Sequence, residues 1–307
     1  MADVWVFTAS GYYRVDADTM VRSSLFPHPS GAPLVQSGFR PITDGTYVYA
    51  TSTGTDVFYR VAKATGTYER VAVGDQPRMS ADDGTSLWVG NDADNTVSRV
   101  SKASMTVTST VSIANNGQLL WVDPYLWVVN SGASPTGAVI RVYDPVSGTV
   151  VQTITLTTAT ADVQDLAYYD GHVYVPVRFV DRLHKVSTST FTSVANVALT
   201  EGARVRVVGG ELLVVGGDVP GSADVIKVNP ADLSTVATLA GSYTSLAASD
   251  GVDTMFVITG TTLHRVDVPT MTVTGTTLIG VTPTGMVYDE LPPVVSAAGW
   301  GIDTINW

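Results

Sequence analysis

Cysteine is absent from the 307 residues. Disulfides, thiolate metal sites and thiol catalysis are thereby excluded together, while the compartment stays open. Basic residues are scarce: 17 Lys and Arg stand against 28 Asp and Glu, for a formal net charge of −11. Such a chain is repelled by a phosphate backbone and by an anionic membrane surface, so nucleic acid is not an expected partner. No stretch approaches the roughly 20 apolar residues of a helical membrane span, and no membrane insertion is expected. The opening Met1-Ala2-Asp3, ahead of Val4-Trp5-Val6-Phe7, carries neither a basic region nor an apolar run of signal-peptide length. Sustained helical periodicity is missing as well. Charged residues are only 15% of the chain and hydrophobic ones 45%, which is enough apolar material for a core.

What the chain does have is a repeat. An apolar residue, any residue, Arg or Lys, then Val recurs seven times, with the basic residue at Arg14, Arg60, Arg99, Arg141, Lys185, Lys227 and Arg265. Successive gaps are 46, 39, 42, 44, 42 and 38 residues. A period near 42 suits four short strands per repeat. A β-rich run precedes each basic strand, as in Val4–Phe7, Tyr47–Ala50 and Leu87–Gly90. Turn signals such as Asp44-Gly45, Asp83-Gly84, Asp170-Gly171 and Asp250-Gly251 come before most of these runs. A short Asx, Ser or Pro turn follows each basic strand, then a Thr/Val-rich strand such as Val150–Leu156.

The innermost strand precedes its turn six times, before Asp44, Asp83, Asp123, Asp170, Gly209 and Asp250. The seventh copy is Pro283–Asp289, at the far end of the chain. The predicted fold is therefore all-β: a seven-bladed β-propeller closed by a C-terminal strand that joins the N-terminal blade and hides two free sheet edges. Residues 1–289 form the propeller in this reading, and residues 290–307 form a C-terminal extension.

Leu87-Trp88-Val89-Gly90-Asn91, with Asn95-Thr96-Val97-Ser98-Arg99-Val100 and Thr106-Val107 after it, resembles the YVTN-type repeat of lactonase-like propellers. The Gly-His and Trp-Asp marks of WD-type repeats are absent. The YVTN resemblance implies fold more than function. Propellers of this look, rich in Thr, Val, Gly and Asp, also resemble minor tail or receptor-recognition proteins of bacteriophages. The expectation is a non-enzymatic structural or interaction propeller, a virion component whose partners are other protein chains of an assembly. Two alternatives stand beside it: a lactonase- or lyase-like hydrolase, and a module binding cell-surface glycan. The expected location is the virion, with the cytoplasm as the alternative.

Propeller ligands usually sit where the innermost strands converge. The residue five before each turn gives the ring Phe39, Arg78, Gln118, Asp165, Arg204, Ser245 and Thr284. One carboxylate and two guanidiniums are too few oxygen ligands for a hard cation, so neither a catalytic metal nor a cofactor is expected. A weak anion or sugar site at Arg78, Gln118, Asp165 and Arg204 is the candidate, against a plain water-filled channel. His184 and His264 occupy one slot in different blades, and such slots point away from one another, so a shared metal or proton relay is not expected. The seven basic residues read as stems packed within blades, each charge meeting a neighbouring acid. Asp92-Ala93-Asp94-Asn95 lacks the glycine and distal glutamate of a calcium hand and reads as a hairpin turn. Trp5, Trp88, Trp127, Tyr174 and Phe256 share a slot suited to packing between blades. In the extension, Pro292-Pro293 is followed by apolar residues, of which Trp300, Ile302, Ile305 and Trp307 are the candidate partner-binding set.

Overall fold

The computed structural model describes residues 2–27, 41–114, 116–129, 137–199, 202–216, 224–243 and 247–289. Every regular element among them is a β-strand. The strands form seven antiparallel sheets, each with four strands along its path. The sheets are numbered here as blades 1 to 7 in chain order.

Blade 1 shows how the ring closes. Its innermost strand is Pro283–Asp289, followed outward by Asp3–Thr8, Gly11–Asp16 and Phe26–Pro27. Pairing runs from Asp3 opposite Asp289 to Thr8 opposite Pro283, so both ends of the chain lie in one sheet. Two edges that would otherwise offer unpaired N–H and C=O groups are used up against each other. Blades 2 to 7 are each built from one continuous stretch, beginning with residues 42–72 for blade 2 and ending with 247–278 for blade 7.

Burial follows from the repeat. The second strand of each blade is apolar on both sides because it is covered by two neighbouring blades: Asp3–Thr8, Ser86–Asn91 and Leu126–Val129 are buried at every position. The outer strands, such as Val107–Ser112 and Thr149–Thr157, are mostly exposed, and their Thr and Val residues fit a pleated, half-solvated surface. The core lies between successive blades. Met79, Trp88 and Val97 of blade 3 pack on Leu119, Leu126 and Val128 of blade 4. Trp127, Val129 and Ile140 of blade 4 pack on Val163, Leu166 and Val173 of blade 5. Full burial of one such side chain contributes about 2 kcal/mol.

Two blades depart from the repeat. In blade 5 the innermost strand is broken: Asp162–Val163 and Ala167–Tyr169 both pair with His172–Arg178, and Gln164, Asp165 and Leu166 bulge between them. In blade 4 the register is displaced by one residue. Trp88 faces Arg99 in blade 3, but Trp127 faces Val142, and Arg141 faces Val128. A slip of one residue exchanges the two faces of a strand. Val142 and Ile140 accordingly join the core shared with blade 5, while Tyr143 packs back on Trp88 of blade 3. This corrects the expectation of seven equivalent basic residues. Six follow the pattern; Arg141 lies on the opposite face, and its Nη1 atom is buried without a hydrogen-bond partner.

Candidate functional site

The basic slot and the aromatic slot turn out to be one device. Trp5 lies directly across from Arg14, Tyr49 from Arg60, Trp88 from Arg99, Tyr174 from Lys185 and Phe256 from Arg265. In three of these pairs the cation covers the ring opposite it: the Arg14 guanidinium sits 5.2 Å from the Trp5 centroid, that of Arg99 5.0 Å from Trp88, and the Lys185 ammonium 6.0 Å from Tyr174, whereas Arg60 lies over Tyr47, 4.5 Å from its centroid. Leu213 takes the ring's place opposite Lys227. Acids complete the arrangement, as Asp3 for Arg14, Glu69 for Arg60 and Asp83 for Arg99. Arg60, Lys185 and Arg265 also donate to main-chain carbonyls of the next blade, at Lys102, Pro230 and Ala17, and Tyr49 belongs to an aromatic series from which the sequence reading left it out.

In blades 2 and 3 the aspartate of the innermost turn has two tasks. Asp44 Oδ1 accepts the backbone N–H groups of Thr46 and Tyr47, and Asp83 Oδ1 those of Thr85 and Ser86. The Oδ2 atoms accept from the aromatic slot: Tyr49 Oη donates to Asp44 at 2.8 Å and Trp88 Nε1 to Asp83 at 3.0 Å. Burial pushes both carboxyls up, but these hydrogen bonds outweigh it and hold them below the usual carboxylate range. Asp289 does the same for Trp5, whose Nε1 donates to it at 3.3 Å. The closing strand therefore copies the other blades in its side chains as well as in its backbone pairing.

Three of the proposed axial residues, Asp165, Arg204 and Arg78, are engaged by their neighbours. Asp165, 1% exposed, sits in the blade 5 bulge. Its Oδ1 accepts Leu166 N–H at 3.0 Å, and its Oδ2 accepts Val205 N–H at 3.1 Å and an ion pair with Arg206 of blade 6. Arg204 is buried beside it and donates to the Gln164 carbonyl. Asp165 and Arg204 are thus brought together at the junction of blades 5 and 6, where they tie the bulge to the next blade. Arg78 pairs with Asp92 at 3.0 Å in blade 3, and Gln118 is buried at the start of blade 4, across from Val129. Thr284 lies in the closing strand, while Phe39 and Ser245 lie outside the described residues. Arg206 was missed because its partner is 41 residues away and the repeat places no acid near it.

The other candidates resolve in the same way. Asp92–Asn95 makes the turn between two strands of blade 3, and Asp94 Oδ2 accepts the Asp75 N–H at 2.7 Å. His184 bonds Ser193 Oγ at 3.1 Å in blade 5. His264 meets the edge of Tyr243 in blade 7, with neither nitrogen hydrogen-bonded. Burial holds both imidazoles below the ordinary value. Among the described residues no three His, Asp or Glu side chains gather as metal ligands. His28 and the whole of 290–307, with Trp300, Ile302, Ile305 and Trp307, lie outside the described residues.

No family model and no curated protein matches the chain. Solved structures resemble it in fold. A chain of hydrazine synthase from Kuenenia stuttgartiensis aligns with a TM-score of 0.65 and 14% identity, over 84% of this chain and 92% of that one. A chain of a mitotic checkpoint complex gives 0.67 and 14%, over 83% and 80%. The β-propeller domain of Cps50 (Swd1) from Myceliophteria thermophila gives 0.65 and 11%, over 79% and 86%. At such identities the likeness establishes the propeller and nothing finer.

Proposed function

We propose that this chain is a non-enzymatic interaction propeller working within a larger protein assembly. One observation carries the reading: Asp165 and Arg204, two of the four polar side chains proposed for axial chemistry, are committed to joining blades 5 and 6 through the Asp165–Arg206 pair and the Arg204 bond to Gln164. A hydrolase needs groups preorganised toward a substrate, and groups already saturated by the fold cannot serve without losing those bonds. A similar propeller in a mitotic checkpoint complex supports protein partners.

The narrower reading is a bacteriophage virion component, a minor tail or receptor-recognition protein. It rests on composition: an acidic, cysteine-free, Thr- and Val-rich disc suits an assembled particle outside the cell. In this reading residues 1–289 are the displayed disc and residues 290–307 the attachment segment. Immunolabelling of purified particles with an antibody to the chain tests it. Labelling at the particle surface is expected; a chain recovered only free of particles overturns the virion reading. A hydrolase is tested separately with simple lactones and added divalent cations. Turnover abolished by Asp165→Asn in a folded variant would overturn the non-enzymatic reading.

A further inference from the structure

Two of the inter-blade grooves are closed by a lysine three residues after the basic slot. Lys63 of blade 2 reaches back to the Asp289 carboxylate of blade 1. Lys102 of blade 3 reaches back to blade 2, with its Nζ 3.4 Å from Asp44 Oδ2, 2.8 Å from Asp82 Oδ2 and 5.8 Å from the Tyr49 ring centroid. The two lysines occupy equivalent backbone positions, since Lys63 N–H donates to Thr46 O and Lys102 N–H to Thr85 O. Each ammonium thus bridges the turn aspartate of the preceding blade to its own blade.

The groove between blades 7 and 1 repeats the turn aspartate and the arginine of the Lys102 groove and has no lysine. Ala17 holds the equivalent position, its N–H donating to Ala2 O. Asp250 stands where Asp44 stands, its Oδ1 accepting the N–H groups of Val252, Asp253 and Thr254. Phe256 replaces Tyr49 and carries no hydroxyl to donate to Asp250 Oδ2, which has no donor among the described residues. Tyr288 replaces Asp82 and stacks on Phe256 with centroids 5.7 Å apart. Arg265 repeats Arg60: each donates from Nη1 to the main-chain carbonyl of the position in question, Ala17 O or Lys102 O. The result is an open groove of about 290 Å³, lined by Ala17, Asp18, Asp250, Phe256, Arg265, Asp267 and Tyr288. Three carboxylates against one guanidinium leave it negative, and the half-buried Tyr288 ring, backed by the fully buried Phe256, supplies the face an ammonium seeks.

We propose that this groove is a receptor for an alkylammonium group supplied from outside the chain, with Asp250 as counter-ion and Tyr288, stacked on the buried Phe256, as its aromatic wall. The equivalent turn aspartates Asp289 and Asp44 each hold a lysine ammonium elsewhere in the molecule; here alanine stands where that lysine would be. A lysine side chain of a partner protein and a free aliphatic amine share this chemistry. The first source rests on the interaction reading above, whereas the site itself does not.

The test is titration of the full-length chain with n-butylammonium chloride at constant ionic strength, followed by NMR at the Phe256 and Tyr288 ring protons. Saturable shifts are expected in the wild type. Asp250→Asn keeps the Oδ1 acceptor of the turn and should weaken binding by up to about fivefold, the scale of a partly exposed ion pair. Ala17→Lys should fill the groove from within and abolish the shifts. If the wild type does not saturate, or if folded Asp250→Asn binds as well as wild type, the proposal is overturned; Asp250→Asn alone decides should Ala17→Lys fail to fold. A Gly-Lys-Gly peptide blocked at both ends then separates the sources: tighter binding than butylammonium assigns the site to a partner lysine, and equal binding to free amines. Retention by the acetyl-lysine form of the peptide overturns the ammonium assignment. None of these outcomes bears on whether the chain is found in particles, so the two readings fail separately.

Discussion

Asp165 provides the sharpest test of how the polar residues of this propeller are used. Replacing it with alanine removes one partner of a buried ion pair and leaves Arg206, itself 7% exposed, facing an emptied site. Two backbone groups, the N–H of Leu166 and that of Val205, lose their acceptor in the same step. Breaking a buried pair by removing one partner costs about 3–5 kcal/mol, because the remaining charge is uncompensated. At about 2–4 °C per kcal/mol for domains of 150–250 residues, melting should fall by about 6–20 °C, in the lower part of that range for a longer chain. Urea unfolding followed by far-UV circular dichroism gives the free energy independently. The double variant Asp165→Ala with Arg206→Met removes both charges and should recover most of the loss. The sign of the effect is what discriminates. A carboxylate kept for a ligand is often a burden on stability, and its removal commonly stabilises. If Asp165→Ala melts within about 2 °C of wild type or higher, or if the double variant is no better than the single one, the assignment of Asp165 to blade clamping is wrong.

Other consequences can be measured in parallel. His184 and His264 are held below the ordinary value of 6.5 by burial, so the unfolded chain binds protons first as pH falls. Stability should be full above that value and decline as pH drops through it toward the folded values; His264→Phe should flatten the decline in pH-dependent melting. The lowered carboxyls of Asp44 and Asp83 add stability above about 3.8 that is lost at more acid pH, which Asp83→Asn should reduce. Trp5→Phe deletes the donor to Asp289 and should cost about 1 kcal/mol, whereas deletion of 283–307 opens two sheet edges and should cause aggregation; a soluble deletion variant with unchanged melting would contradict the closure. Trp300→Ala with Trp307→Ala should leave melting nearly unchanged while weakening particle association, and normal association would count against an attachment role for 290–307.

How much of this was legible beforehand depended on the range of the interaction. The seven basic positions, the turn aspartates and the orphan seventh strand at Pro283–Asp289 are local patterns. Each blade must bury two faces and close its edges with the same few residues, so the repeat, the blade count and the ring closure could be read without coordinates. Register and neighbours were another matter. Arg141 carries the same local motif as Arg99, yet a slip of one residue in blade 4 turns it to the opposite face, and periodicity is silent on which of two adjacent registers is taken.

Asp165 was readable as the only acid of an axial ring. Whether its carboxylate meets water or Arg206 is decided by the bulge in blade 5 and the approach of blade 6, a contact across 41 residues. The lysine pattern behaves likewise. Lys63, Lys102 and Ala17 stand three residues after the basic slot in plain sight. That the two lysines cross to the preceding blade, and that alanine leaves an acidic aromatic groove, depends on the distance between blades, which the packing of their cores alone sets.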